Sequence, residues 1–133
     1  MRLAPLYTIH FAYPEHYFSR GPETIGLFFA EGRCEGEVSG RFRGLNHARL
    51  REDDVYLPDF HGVIETDDGA AILFHLTGYG LPDAGRAIVS LKHVCGDERY
   101  EWLNRTLCLG AAEVGDRQVV LDVAELVWEP LER

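Results

Sequence analysis

The chain alternates short runs of Val, Ile, Leu, Phe and Tyr with glycine and proline, and this pattern constrains its fold most. Fourteen glycines and six prolines are spread through 133 residues. Because these residues interrupt helices and long strands, the pattern predicts many short strands joined by turns. The predicted strands are Pro5–Tyr13, Thr24–Ala30, Cys34–Phe42, Ala48–Arg51, Val55–Thr66, Ala70–Gly78, Arg86–Val94, Leu103–Ala111 and Gln118–Glu129.

Turn and helix signals support an all-β chain. Asp67-Asp68-Gly69 separates two of the runs and predicts a hairpin with a type I′ turn, since Asp-Gly tolerates positive φ angles. Only Asp97–Leu103 has a helical pattern, with Asp97 as its capping residue. Many short strands with minimal helix are compatible with two folds, a sandwich and a closed barrel.

The hydrophobic alternation favours the barrel. One face of the Ala70–Gly78 run is apolar throughout, whereas the opposite face carries His75 and Thr77 among apolar residues. A barrel wall that packs on one side and lines a partly polar cavity on the other has this pattern. Closure also removes exposed strand edges. We therefore predict one domain over residues 1–133, a single antiparallel barrel of about 8–10 strands with the mixed face inside.

Charge and cysteine content exclude several classes of function. Thirteen basic and twenty-two acidic residues give a net charge of −9, which disfavours binding to nucleic acids or to anionic membranes. Three widely spaced cysteines form no CxxC pair, so reduced thiols in a cytoplasmic protein are expected. No P-loop or dinucleotide-binding motif is present, and we expect no cofactor.

Three ordered motifs carry a resemblance to a known family. They are Gly32-x-x-x-Gly36-x-Val38-Ser39-Gly40, Glu65-Thr66-Asp67-Asp68-Gly69-Ala70 and Tyr100-x-Trp102-Leu103-Asn104-Arg105. In this order and spacing the chain resembles the family called domain of unknown function 3237, which consists of small, mostly bacterial proteins. The resemblance implies a calycin-like β-barrel that often forms homo-oligomers, and it implies no particular reaction.

The same resemblance indicates where the chain departs from its relatives. Arg51, Asp53 and Asp59 match polar positions of the family pattern, whereas Asn46 and His47 stand where Asp and Trp are usual. These departures fall in the polar part of the pattern. The fold is therefore expected to transfer more safely than any activity.

Asp59, His61 and His75 are the strongest group of candidate metal ligands. Asp59 and His61 share one face of a predicted strand, and pairing Glu65 with Ala70 brings His61 close to Phe74 or His75. Two histidines and one carboxylate form the ligand set of many iron and other divalent-metal sites. Hydrogen-bonded histidines in the barrel wall explain the pattern without a metal, and we favour this interpretation.

The leading interpretation is an acid–base site beside an interior cavity. Asp59 and His61 are the candidate catalytic residues, because a carboxylate next to an imidazole sets a pKa near neutrality. A network of structural ion pairs explains these residues equally well. The candidate ligand-binding residues are His10, Asn46, Arg51, Asp53, His75, Trp102, Asn104 and Arg105. Trp102 is also expected to plug one end of the barrel.

Three functions follow in order of preference. The first is a barrel that binds a small apolar or aromatic molecule, with isomerase, lyase or cyclase activity if it is an enzyme. The second is a non-catalytic oligomeric barrel, and the third is a metal-dependent enzyme that uses Asp59, His61 and His75. An aromatic set either fills the core or lines the pocket, and it consists of Tyr7, Phe11, Tyr13, Tyr17, Phe18, Phe28 and Phe29.

Overall fold

In the computed structural model, which describes residues 1–133, eight long antiparallel strands close into one barrel. The strands are β1 (Arg2–Arg20), β2 (Thr24–Gly36), β3 (Gly40–Leu50), β4 (Tyr56–Leu57), β5 (Asp59–Thr66), β6 (Ala71–Leu81), β7 (Arg86–Val94), β8 (Cys108–Val114) and β9 (Val119–Val127). Each long strand pairs with the next along the chain, and β9 pairs with β1. The short β4 bridges β3 and β6. The predicted antiparallel barrel is confirmed.

Two short 3-10 helices are the only helical segments, at Pro82–Ala84 and Glu98–Arg105. Asp97 caps the second helix as predicted, since its side chain accepts a hydrogen bond from the Arg99 backbone N–H at 3.0 Å. This helix continues to Arg105, so the predicted strand Leu103–Ala111 was wrong in its first part, and β8 begins at Cys108. Neither helix is long or apolar enough to cross a bilayer.

One predicted turn and one predicted strand differ from the structure in detail. The loop of Asp67, Asp68 and Gly69 has a positive φ only at Gly69, at 94°, so it is a three-residue connection and not a type I′ turn. Thr66 explains the difference, because its hydroxyl bonds the Ala70 backbone N–H at 2.7 Å and widens the loop. The predicted strand Cys34–Phe42 was also wrong as one unit, since Glu37–Ser39 turns the chain between β2 and β3.

The apolar face of each strand lies inside the barrel, and the mixed face lies outside. On β5, Phe60 and Ile64 are buried, whereas His61 between them is exposed. The predicted orientation, with the mixed face inside, was therefore wrong. An eight-stranded barrel is narrow enough for side chains to fill most of it, so its interior takes the more apolar face of each strand. Four stacked or tilted rings form the centre of this core, and they are Phe11, Phe42, Phe60 and Phe74.

The glycines of the first motif allow neighbouring strands to approach closely. A Cβ on Gly32 would lie 2.0 Å from the His10 carbonyl oxygen, and one on Gly40 would lie 2.1 Å from that of Glu65. Gly36 has a φ of 139°, which is unfavourable for other residues. The motif is therefore explained by these close approaches between strands and by the positive φ of Gly36.

All three motifs meet at one end of the barrel, which we call the closed end. It consists of the Glu37–Ser39 turn, the Asp67–Gly69 loop and the Glu98–Arg105 helix. The Asp67 backbone N–H donates to the Ser39 carbonyl at 3.0 Å, which joins the first two. The Tyr100 hydroxyl donates to Asp68 Oδ2 at 2.8 Å, and this bond joins the Asp67–Gly69 loop to the Glu98–Arg105 helix.

Leu103, and not Trp102, plugs the closed end. Leu103 is 1% exposed and belongs to the core, whereas Trp102 is 39% exposed. Asn104 fastens the helix to the end of β7 through two hydrogen bonds. Its side-chain oxygen accepts from the Cys95 backbone N–H at 2.7 Å, and its NH₂ group donates to the Cys95 backbone carbonyl oxygen at 2.8 Å. The predicted role of Trp102 as a plug was wrong, since the short helix turns this ring outward.

Candidate functional site

The opposite end of the barrel, which we call the open end, contains a cavity of about 330 Å³. Its walls are mostly aromatic and aliphatic, and side chains from β1, β2, β3, β5, β6, β7, β8 and β9 contribute to it. The lining includes Phe11, Tyr13, Phe18, Phe28, Asn46, Ala48, Tyr56, Pro58, Phe60, Leu76, Leu81, Arg86, Ala87, Val89, Ala112, Val114, Val119 and Leu121. The volume lies at the small end of the ~300–1,000 Å³ typical of ligand pockets.

Asn46 and Tyr13 are the polar pair in this cavity. The Asn46 side-chain oxygen accepts a hydrogen bond from the Asp59 backbone N–H at 3.2 Å. Because a backbone N–H only donates, this contact orients the amide and directs its NH₂ group to the Tyr13 hydroxyl, 3.3 Å away. Tyr13 therefore accepts from Asn46, and its own proton is available to another acceptor.

Burial keeps the Tyr13 hydroxyl protonated well above neutral pH. Desolvation raises the pKa of its hydroxyl to about 12, against a smaller lowering effect of the Asn46 hydrogen bond. The hydroxyl is therefore protonated throughout the physiological range. A ligand in the cavity meets this O–H donor within a mostly apolar surface, with the exposed Arg86 at the mouth. Carbonyl or ether oxygens match this arrangement.

Asp59, His61 and His75 come together on the outer wall of the barrel. His61 on β5 pairs directly with His75 on β6, one of the two neighbours predicted for it, although Glu65 pairs with Ala71 and not, as predicted, with Ala70. Asp59 Oδ1 lies 2.7 Å from His75 Nε2 and 3.3 Å from His61 Nε2. The hydrogen bond from His75 is the largest of the effects that lower the pKa of Asp59. These side chains face solvent, so they do not line the cavity.

The predicted acid–base group does not converge in the structure. His10 lies exposed on the outer wall of β1, which neighbours β2 and β9 and not β5. Arg51 pairs with Asp53 within the loop after β3, through a 2.9 Å bond and a second, shorter one. This contact lowers the pKa of Asp53 to about 2. Both side chains are occupied with each other, as the interpretation based on structural ion pairs expected.

The predicted residues Trp102, Asn104 and Arg105 lie at the closed end, far along the barrel axis from the cavity. Asn104 ties a loop backbone, as described above. Arg105 is exposed and forms no ion pair, whereas Arg33 pairs with Asp67 and Arg99 pairs with Asp68. Among the predicted ligand-binding residues, Asn46 is the one that lines the cavity.

Several cavity residues were absent from the predicted site. Tyr13 continues the inward alternation of Tyr7, Ile9 and Phe11, so the pattern of β1 was the available signal. Of the aromatic set, four residues line the cavity, namely Phe11, Tyr13, Phe18 and Phe28. Tyr17 and Phe29 face outward. Arg86 lines the cavity mouth without any sequence signal, because only the closure of the barrel places it there.

A second polar pair is buried inside the barrel near the closed end. His93 Nε2 lies 2.5 Å from the Tyr7 hydroxyl, and His93 Nδ1 has no hydrogen-bond partner. Burial lowers the pKa of His93 to about 4, and it raises the pKa of Tyr7 well above its usual value. The imidazole is therefore neutral at physiological pH.

Solved structures share this fold. No protein-family model and no curated protein matches the sequence. The chain is similar to a beta-barrel like protein from Acinetobacter baumannii (TM-score 0.84, 20% identity, 95% of this chain and 96% of that one). It is also similar to a protein of unknown function from Clostridium acetobutylicum (TM-score 0.87, 16% identity, 96% of this chain and 97% of that one). A structure described as an enzyme from Penicillium herquei matches with a TM-score of 0.71 and 20% identity, and the match covers 92% of this chain and 93% of that one. At these identities the similarity shows the fold alone.

Proposed function

We propose that this protein binds a small, mainly apolar organic molecule in the cavity at the open end. The observation that carries the proposal is the combination of a mostly apolar cavity of about 330 Å³ with an oriented donor, the Tyr13 hydroxyl. Ligand sites are commonly apolar pockets with a few placed polar groups. Membership of the family of domain of unknown function 3237 and a cytoplasmic location stay predictions.

The polar pair defines the class of ligand. Tyr13 offers a proton, so an aromatic ketone or a similar molecule with an acceptor oxygen fits better than a hydrocarbon of the same shape. One neutral hydrogen bond contributes about 0.5–1.5 kcal/mol net. This corresponds to about 2- to 10-fold tighter binding of the ketone.

Catalysis of the isomerase, lyase or cyclase kind is a finer proposal for the same cavity. Tyr13 is suited to hold or protonate a carbonyl oxygen there. The predicted pair Asp59 and His61 lies on the other side of the wall, where it cannot reach a molecule inside. Binding is therefore the function that the geometry supports best, and any proton transfer in the cavity would depend on Tyr13.

Displacement of a fluorescent probe tests the proposal. Phenylnaphthylamine would be bound to the full chain and then displaced by acetylnaphthalene or by ethylnaphthalene, which share a shape and differ in the acceptor oxygen. We expect both to bind, with the ketone tighter by the factor given above. In Tyr13→Phe the advantage of the ketone should disappear, while binding of the hydrocarbon should remain.

Two adjacent alanines on β8 provide a matched control. Ala112 faces the cavity and Ala111 faces outward, so Ala112→Phe should fill the cavity and Ala111→Phe should not. We expect probe binding to fall more than tenfold only in Ala112→Phe. Ala87→Phe, which also fills the cavity, is a second variant in case the first misfolds. Equal binding by the inward and outward variants would refute the proposal.

Self-association is the second candidate function, and exposed apolar side chains favour it. On the outer wall of β6 and β7, Leu73, Tyr79, Ile88 and Val94 are each more than half exposed. Such groups of apolar side chains often mark interaction surfaces. A homo-oligomer formed through this wall should dissociate in Ile88→Asp, as measured by sedimentation velocity. A monomeric wild-type protein at micromolar concentration would contradict it.

A further inference from the structure

We infer that the outer wall of the barrel binds one divalent transition-metal ion through Asp59, His61 and His75. This site is separate from the cavity, and it depends on strand register. His61 and His75 are directly opposite each other on β5 and β6, and Asp59 precedes His61 by two residues on the same face. Because the register of a closed barrel is fixed by pairing on both sides of each strand, these side chains cannot drift apart.

The donor atoms are already close to the spacing of a metal site. One ligand atom from each residue lies within 4.8 Å of the other two, and both Nε2 atoms point to Asp59 Oδ1. The two imidazole rings are nearly parallel, with centroids 4.0 Å apart and an interplanar angle of 9°. Bonds of ~2.0–2.2 Å to zinc place tetrahedral ligands roughly 3.3 Å apart. Because the two ring planes are parallel, each imidazole must tilt for its in-plane Nε2 lone pair to reach a shared ion, and both side chains are exposed and can rotate.

The ligand types select the ion. Two imidazoles and one carboxylate favour Zn²⁺, Cu²⁺, Ni²⁺ or Fe²⁺ over Mg²⁺ and Ca²⁺, which prefer oxygen ligands. His47 is a candidate fourth ligand, since it lies exposed on the outer wall of β3, one residue beyond the Asn46–Phe60 pair that joins β3 to β5. The site is exposed, so water can complete the shell. A three-residue site with open positions results.

The cysteines do not compete for the ion. Cys34, Cys95 and Cys108 are all buried. Burial raises the pKa of Cys34 to about 12 and that of Cys108 to about 11, so both are thiols and not thiolates at neutral pH. A zinc titration of the folded chain therefore reports on histidine and carboxylate sites.

Isothermal titration of the full chain with ZnCl₂, and in parallel with MgCl₂, tests the inference. We expect one zinc ion per chain and no heat from magnesium. His61→Ala and His75→Ala should each weaken zinc binding by more than tenfold, since even the loss of an outer-shell partner costs ~10- to 100-fold. Both side chains are exposed, so these variants should fold, as checked by circular dichroism.

His10→Ala is the matched control, because His10 is exposed on β1, outside this group of ligands. It should bind zinc as the wild type does. Absence of zinc binding by the wild type would overturn the inference. So would a double variant, His61→Ala with His75→Ala, that keeps the wild-type affinity. Binding of the naphthalene probe should be unchanged in these variants, which separates this result from the test of the cavity.

Discussion

Acidification should destabilise this barrel through one buried imidazole, that of His93. The side chain is 3% exposed, its Nδ1 atom has no partner, and burial lowers its pKa to about 4. In the unfolded chain the same group titrates near its ordinary value of 6.5. Between these two values the unfolded state binds a proton that the folded state does not.

The sign and size of the effect follow from this difference. Since the unfolded state binds more protons between pH 6.5 and 4, the free energy of unfolding falls as the pH falls through this range. A pKa difference of about 2.5 corresponds to about 3 kcal/mol, at ~1.36 kcal/mol per pH unit. This contribution of His93 to the free energy of unfolding is fully present above pH 6.5 and is lost as the pH approaches 4. Against a total stability of ~5–15 kcal/mol, this loss is large.

Urea denaturation at a series of pH values from 7 to 4 measures the effect. His93→Gln removes the titrating group and keeps a polar atom near the Tyr7 hydroxyl. We expect the free energy of unfolding of the wild type to fall by about 3 kcal/mol more than that of the variant. The other histidines are exposed. Asp53 and Asp97 have pKa values of about 2, so their contributions to the free energy of unfolding are lost below this pH range. Identical pH dependence in both proteins would refute the reasoning.

Three further substitutions test the account of the closed end, and the first has a matched control. Gly32→Ala should destabilise the barrel by about 1–3 kcal/mol, because its Cβ would meet backbone 2.0 Å away, whereas Gly21→Ala, with nothing within 4 Å, should be neutral in urea denaturation. Asn104→Ala should cost about 1–3 kcal/mol by leaving both Cys95 backbone groups without partners. Arg105→Ala should change thermal or urea stability by less than about 0.5 kcal/mol, and a larger loss would contradict the exposed, unpaired position described here.

Local patterns were sufficient for the barrel and for one part of the outer histidine site. The glycine and proline punctuation predicted the number and order of the strands to within one or two. The Asp-Gly loop then narrowed the neighbour of His61 to Phe74 or His75, because a hairpin relates residues that are close in sequence, and the register, one residue from the predicted one, selects His75. Both inferences depend on neighbours along the chain, which is why the sequence was informative.

The direction of the strand faces was not predictable in the same way. Leu73 and Ile88 are apolar and exposed, so the outer face of β6 and β7 resembled a partly polar interior. The cavity was missed for a related reason. Its lining depends on the contact of β1 with β9, the two ends of the chain, and no local pattern reports that closure. Asn46 was found only because the family resemblance drew attention to its position.

The location of the three motifs affects how proteins of this kind are classified. All three build the closed end, through turns, close strand approaches and the bonds of Asn104 and Tyr100. A group of proteins defined by these residues shares a way of ending a barrel, and its members are free to differ in what they hold at the other end. Under the proposed function, the side chains at positions 13, 46, 86 and 112 select the ligand, whereas the motifs determine only the architecture of the closed end.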